Sequence, residues 1–136
     1  YFAVGGADAL VSLWDAKEFA CIRTFGRLAW PIRTVGFSHD GKLLASASED
    51  LMIDIVSIHT LSLKANTVER SPLSLSFQAE VETGEMVHQR AVNGAINTMA
   101  WHPREYWLAY AEAASEKDKH PRDAGNICLW GLPEDT

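Results

Sequence analysis

The residues best suited to chemistry stand together in one place, Ser38, His39 and Asp40, the three side-chain types of a hydrolytic triad. Their adjacency argues against that reading. A triad needs nucleophile, base and orienting carboxylate to converge from separate segments, and three consecutive residues cannot point at one another in that way. No glycine-framed nucleophile turn occurs elsewhere in the chain. A metal site is no better supported, because His39, His59, His88, His102 and His120 show no close pairing. Cys21 and Cys128 each sit within an apolar alternating stretch, where a free thiol packs as a small hydrophobe. Gly5 and Gly6 precede a strand-like run rather than a helix, so they read as points of close backbone packing and not as a phosphate cradle. The expectation is a protein with no catalytic residue, no metal and no cofactor.

What positions these residues is a repeated strand pattern. GGADALVSLWD (5–15), ASASEDLMIDIVS (45–57) and AYAEAASEKDKHPRDAGNICLWG (109–131) share one plan: a strand of small apolar residues, a turn holding Asp8, Asp50 or Asp123, and an alternating strand. Asp8 and Asp50 are 42 residues apart. A period near forty built from short strands predicts an all-β propeller whose blades each hold four antiparallel strands. Alternation places strands at Tyr1 to Val4, Val11 to Trp14, Ala20 to Thr24, Ile32 to Ser38, Leu43 to Ser48, Ile53 to Val56, Met86 to Arg90, Ile96 to His102, Trp107 to Ala111 and Ile127 to Trp130. Ten strands amount to about two and a half blades. The turns at 39–41, 83–84 and 102–104 carry the Gly, Pro, Asp and His residues that fix such bends. The polar run 112–125 reads as a solvated loop within the last blade.

One stretch interrupts the period. Residues 56–78, VSIHTLSLKANTVERSPLSLSFQ, hold a single acidic residue and match nothing in the other repeats. Setting them aside joins Ile55 to Ala79 and restores the spacing. Two readings stand: a surface loop, tolerated because closure entropy grows slowly with length, or a retained intron. Val-Ser can be encoded by GTAAGT and Phe-Gln by TTTCAG, which are splice-boundary sequences. The expected organisation is 1–15 as the end of one blade, 16–56 as a second, 57–78 as the insert and 79–132 as the last blade. The chain opens in mid-pattern without methionine, which reads as part of a longer propeller.

A net charge of −6 opposes bulk binding to phosphate backbones. The composition, 47% hydrophobic and 22% charged, is that of an ordinary globular domain, with no apolar run of membrane-spanning length. Scarce, separated cysteines fit a reducing compartment. Asp8, Trp14, Ser48, Asp50 and Trp130 are expected to hold the repeat together. Trp30 and Arg33 in AWPIRT, with Asn93 and Asn97 in VNGAINT, flank the starts of innermost strands and are the candidate partner contacts. Trp and Arg are the types most enriched at binding hot spots.

The segment GFSHDGKLLASASED resembles a WD40 repeat. Together with WPIRTVGFSHDG, AEVETGE, GAINTMAWHP and GLPED, the chain resembles, within that family, the third subunits of THO complexes. In well-formed repeats of this kind a His joins the Asp, Ser and Trp. Here Trp30 and Asn93 lie near its places, and Val56 or Ala79 stands for a Trp. The resemblance implies part of a seven-bladed WD40 propeller, without enzymatic activity. It implies an adaptor in a nuclear assembly that couples transcription and messenger-RNA processing to export. The implied partners are other THO subunits and export factors, with RNA reached through the complex and no membrane or small-molecule substrate. A peptide- or histone-recognition propeller of a chromatin complex is the alternative.

Overall fold

The computed structural model describes residues 1–58, 86–114 and 125–131. Ten strands run through them: β1 Phe2–Gly5, β2 Val11–Trp14, β3 Cys21–Phe25, β4 Ile32–Phe37, β5 Leu43–Ser48, β6 Met52–Ser57, β7 Met86–Ala91, β8 Ile96–Trp101, β9 Trp107–Glu112 and β10 Asn126–Gly131. They form three antiparallel sheets ordered β1-β2-β3, β4-β5-β6-β7 and β10-β9-β8. The described residues contain strands and turns but no helix.

Alternation explains how the sheets stack. Val11 and Leu13 of β2 face Leu44 and Val56 of the second sheet, and Phe25 and Ile58 complete that core. Ala45, Ala47, Ile53 and Ile55 point the other way, against Ile96, Leu108 and Tyr110 of the third sheet. The second sheet is therefore covered on both faces. That is why β5 reads LLASAS and is buried at every position: small residues let two neighbouring sheets approach it. Trp101 on β8 adds a polar tie, its Nε1 donating to Gly36 O of β4 at 3.0 Å.

The sheets are cut differently from the sequence repeats. The expected second blade began at residue 16, yet β3 pairs with β2 and completes the first sheet. Likewise β7, which follows residue 79, pairs with β6 and completes the second sheet. The physical reason is that the first strand of each sequence repeat hydrogen-bonds backwards, onto the preceding sheet. The segment set aside at 56–78 also changes at its leading edge. Strand β6 continues through Val56 and Ser57, which pair with Leu44 and Leu43. Val56 and Ile58 are buried, and Ile58 N donates to Lys42 O at 2.7 Å. Residues 59–78 lie outside the described residues, as do Asp123, His59 and His120. Strands β6 and β7, which precede and follow 59–85, are neighbours in one sheet.

Candidate functional site

At one end of the sheet stack, the turns between successive strands are bonded in series. The Asp8 turn is closed by Leu10 N, which donates to Asp8 Oδ1 at 3.2 Å, and by Gly6 N, which donates to Leu10 O at 2.8 Å. Gly6 O in turn accepts Ile32 N at 3.0 Å, tying this turn to the start of β4. Asp50 Oδ2 accepts the amides of both Ala29 and Trp30, while Asp50 N donates to the buried Ser48 Oγ at 3.1 Å. Leu51 O accepts Val92 N at 2.9 Å, and Ala95 O accepts Ala113 N at 2.9 Å. A Cβ on Gly94 would fall 1.9 Å from Ala113 O, so glycine is what allows the last two turns to touch. The outcome is a continuous rim of fixed backbone, with side chains free to face outward.

The four candidate contacts all lie on this rim. Trp30 is 55% exposed. Arg33 and Asn97 occupy equivalent positions: the β4–β5 register skips between Ile32 and Thr34, and the β8–β9 register skips between Ile96 and Thr98. Both are thus the extra residue of a bulge, a device that re-aims a side chain out of the sheet. Arg33 Nε and Nη2 both donate to Glu49 Oε1, at 2.9 and 2.5 Å. Asn93 is exposed, and its amide donates to the buried Glu112 Oε1 at 3.4 Å. Trp30 and Arg33 share one turn cluster with Glu49 and Asp50, while Asn93 and Asn97 hold the corresponding places one sheet further on.

Of the residues expected to brace the repeat, Asp8, Ser48 and Asp50 act in these turns. The two tryptophans lie elsewhere. Trp14 Nε1 donates to Ser12 Oγ at 2.8 Å, and its ring stacks on Phe2 at 6.0 Å. Trp130 stacks on His88 at 4.8 Å, joining the third sheet to the second.

The Ser38, His39, Asp40 cluster sits in the turn between β4 and β5, at the opposite end of the strands. Ser38 Oγ donates to Asp40 Oδ1 at 2.8 Å and accepts Leu43 N at 3.0 Å. Asp40 Oδ2 accepts Tyr106 Oη at 2.6 Å and Lys42 Nζ at 3.1 Å. Burial pushes the Asp40 carboxyl up. The bonds from Tyr106, Ser38 and Lys42 outweigh it and hold the group well below the usual carboxylate range. His39 packs its ring against Tyr106 at 5.0 Å and takes no part in the Ser38 hydrogen bonds. The serine hydroxyl is therefore committed to a carboxylate, and the cluster is a clasp between two sheets. Among the described residues, no group of His, Cys, Asp or Glu could hold a metal ion.

Sequence reasoning missed the most buried polar pair. Arg27 Nε donates to Asp54 Oδ2 at 3.0 Å, with the side chains 15% and 2% exposed. Arg27 reaches inward from the turn that carries Trp30, near the place a His takes in well-formed repeats. An Asp at a core-facing position of a strand was the available signal, since a buried carboxylate requires a partner.

Comparison with known proteins bears on what this arrangement is. Residues 19–55 match the family described as WD domain, G-beta repeat. Residues 19–55 are a WD40 repeat. The matched segment runs from the turn before β3 to β6, so it straddles two sheets as the pairing requires. The chain is 40% identical over 132 residues to THO complex subunit 3 of Arabidopsis thaliana, covering 97% of the chain and 34% of that relative. It is 31% identical to the WD repeat-containing protein AAC3 of Dictyostelium discoideum, over 89% of the chain and 20% of the relative. It is 34% identical to eukaryotic translation initiation factor 3 subunit I of Lodderomyces elongisporus, over 72% of the chain and 26% of the relative. The chain thus spans about a third or less of the length of these relatives.

Proposed function

We propose that this chain is part of a WD40 adaptor in a nuclear THO-type complex, which couples transcription and messenger-RNA processing to messenger-RNA export. The observation that carries the reading is the similarity to THO complex subunit 3, which runs through 97% of the chain. The other two relatives are less identical, over smaller shares of the chain. The rim described above supports a docking role, because it offers fixed backbone with Trp30 and Arg33 turned outward. Its chemistry is protein recognition. The chain's net charge of −6 fits RNA being held by other members of the assembly.

The test is affinity purification of the full-length protein that carries this chain from nuclear extract, followed by mass spectrometry. Recovery of THO subunits in near-stoichiometric amounts is the expected result. Recovery of chromatin peptides without THO subunits moves the assignment to histone or peptide recognition, and direct crosslinking of these residues to RNA overturns the indirect role.

A further inference from the structure

Three apolar patches are exposed on the described residues. One gathers Val4 of the first sheet and Phe19 of the β2–β3 turn beside the half-buried Phe2; another gathers Trp107, Ile127 and Leu129 on one face of the third sheet. Both lie on sheet faces, along the direction in which the sheets already stack. The third is different. Leu10, Trp30 and Leu51 are 40%, 55% and 46% exposed, and they stand on the turn rim, across the strand ends, where stacking of a further sheet does not reach. Hydrogen bonds bring the three turns together: Gly6 O to Ile32 N, and Asp50 Oδ2 to the Ala29 and Trp30 amides. A Cβ on Gly26 would lie 3.0 Å from Leu10 Cδ2, so Leu10 rests on the same turn that presents Trp30.

Leu51 stands at a strained position of its turn. Its φ is +58°, in the left-handed region, which costs an L-residue on the order of 1–2 kcal/mol relative to glycine. Among the described residues Leu51 belongs to neither core cluster, and nearly half of its side chain faces solvent. Ala9 has a φ of +65° at the equivalent place in the Asp8 turn, so the bend belongs to the turn, and what sets Leu51 apart is the exposed apolar side chain it places there.

The charges select the partner. Within 6–10, 26–33 and 49–51, the ionisable residues are Asp8, Arg27, Arg33, Glu49 and Asp50. Arg27 is directed inward to Asp54, and Arg33 is matched by Glu49. Asp8 and Asp50 remain as excess negative charge beside the apolar side chains.

We propose that the Leu10, Trp30 and Leu51 rim seats a segment of a partner protein in which an apolar side chain stands beside one or more Lys or Arg residues. The proposal rests on the adaptor reading and names the chemistry of what is docked. The apolar anchor lies over Trp30 and Leu51, and the cation lies toward Asp8 and Asp50. A phosphate backbone is repelled by the same carboxylates.

The experiment uses the full-length protein with p-benzoylphenylalanine in place of Trp30, irradiated in nuclear extract, with the crosslinked segment sequenced by mass spectrometry. The expected segment belongs to another protein and has Lys or Arg within four residues of the crosslinked side chain. Leu51→Gly, added to this protein, lowers the crosslink yield about three- to tenfold, the order expected when a partner covers the exposed half of a leucine side chain. Its urea midpoint stays level or rises, because glycine accepts the left-handed turn. Glu49→Lys also lowers the yield by adding repulsion to a basic segment. A crosslink to RNA, to an acidic or uncharged segment, or to the protein's own chain overturns the proposal, as does absence of a crosslink. A lowered urea midpoint with unchanged yield in Leu51→Gly makes Leu51 a packing residue and has the same consequence. If THO subunits co-purify equally with wild type and Leu51→Gly, the adaptor reading stands and the rim proposal falls. If they co-purify with neither, the adaptor reading falls whatever the crosslink shows.

Discussion

Replacing Arg27 by methionine tests how the first and second sheets are held. Asp54 is almost fully enclosed, its Oδ2 accepts Arg27 Nε at 3.0 Å, and its Oδ1 accepts no hydrogen bond among the described residues. Burial pushes the Asp54 carboxyl up, and the Arg27 hydrogen bond and charge hold it partly down. Removing the guanidinium leaves a buried, uncompensated carboxylate, which costs about 3–5 kcal/mol at pH 7. With a urea slope of about 2 kcal/mol/M, the midpoint falls by about 2 M. The sign of the pH dependence follows from the direction of the shift. A carboxyl whose folded pKa lies above its unfolded value of about 3.9 favours the folded state fully below that value, and the advantage is lost as pH rises through the folded pKa. Without Arg27 the folded pKa climbs further, so the defect of Arg27→Met shrinks as pH is lowered toward 4. The double variant Arg27→Met with Asp54→Leu returns to within about 1 kcal/mol of wild type or above it, since a well-packed apolar pair replaces the ions. Urea titrations at pH 7 and pH 4.5 measure both. A loss below about 1 kcal/mol in the single variant, or a double variant worse than the single, refutes the reasoning.

Three further outcomes follow from the same contacts. Tyr106→Phe removes a donor to Asp40 and lowers stability by about 1 kcal/mol at pH 7. Because Asp40 is held below its ordinary range, its stabilisation is full above the unfolded value and is lost as pH falls through the folded one, so urea midpoints of wild type and variant converge in acid. Phe19→Gly relieves a left-handed φ of +52° at an exposed residue and raises stability by about 1 kcal/mol, read as a higher thermal midpoint. Trp101→Phe loses the bond to Gly36 O that ties β8 to β4 and costs about 1 kcal/mol or more in a urea titration.

Period-two alternation was enough to place all ten strands within a residue or two, because each sheet hides one or both faces and the pattern records which. The Asp8 and Asp50 turns were legible for a local reason: the carboxylate of Asp8 bonds its own turn, and Ser48 sits two residues before Asp50. Sheet boundaries were hidden, because nothing within Cys21–Phe25 says that it pairs with the strand before it rather than with the one after. The bulges at Arg33 and Asn97 were invisible too, since a skipped register is a property of two strands and not of one. Arg27 and Asp54 are 27 residues apart, and Tyr106 and Asp40 are 66 apart. Such pairs are set by how the sheets stack, and no local spacing encodes them.

The most direct test of the central claim is sedimentation of nuclear extract, before and after RNase treatment, with quantification of the full-length protein and THO subunits across the gradient. The account predicts that they migrate together in a large particle and stay together once RNA is digested, because docking is through protein. A protein that sediments alone after RNase treatment, or that follows chromatin fractions while THO subunits migrate elsewhere, contradicts it.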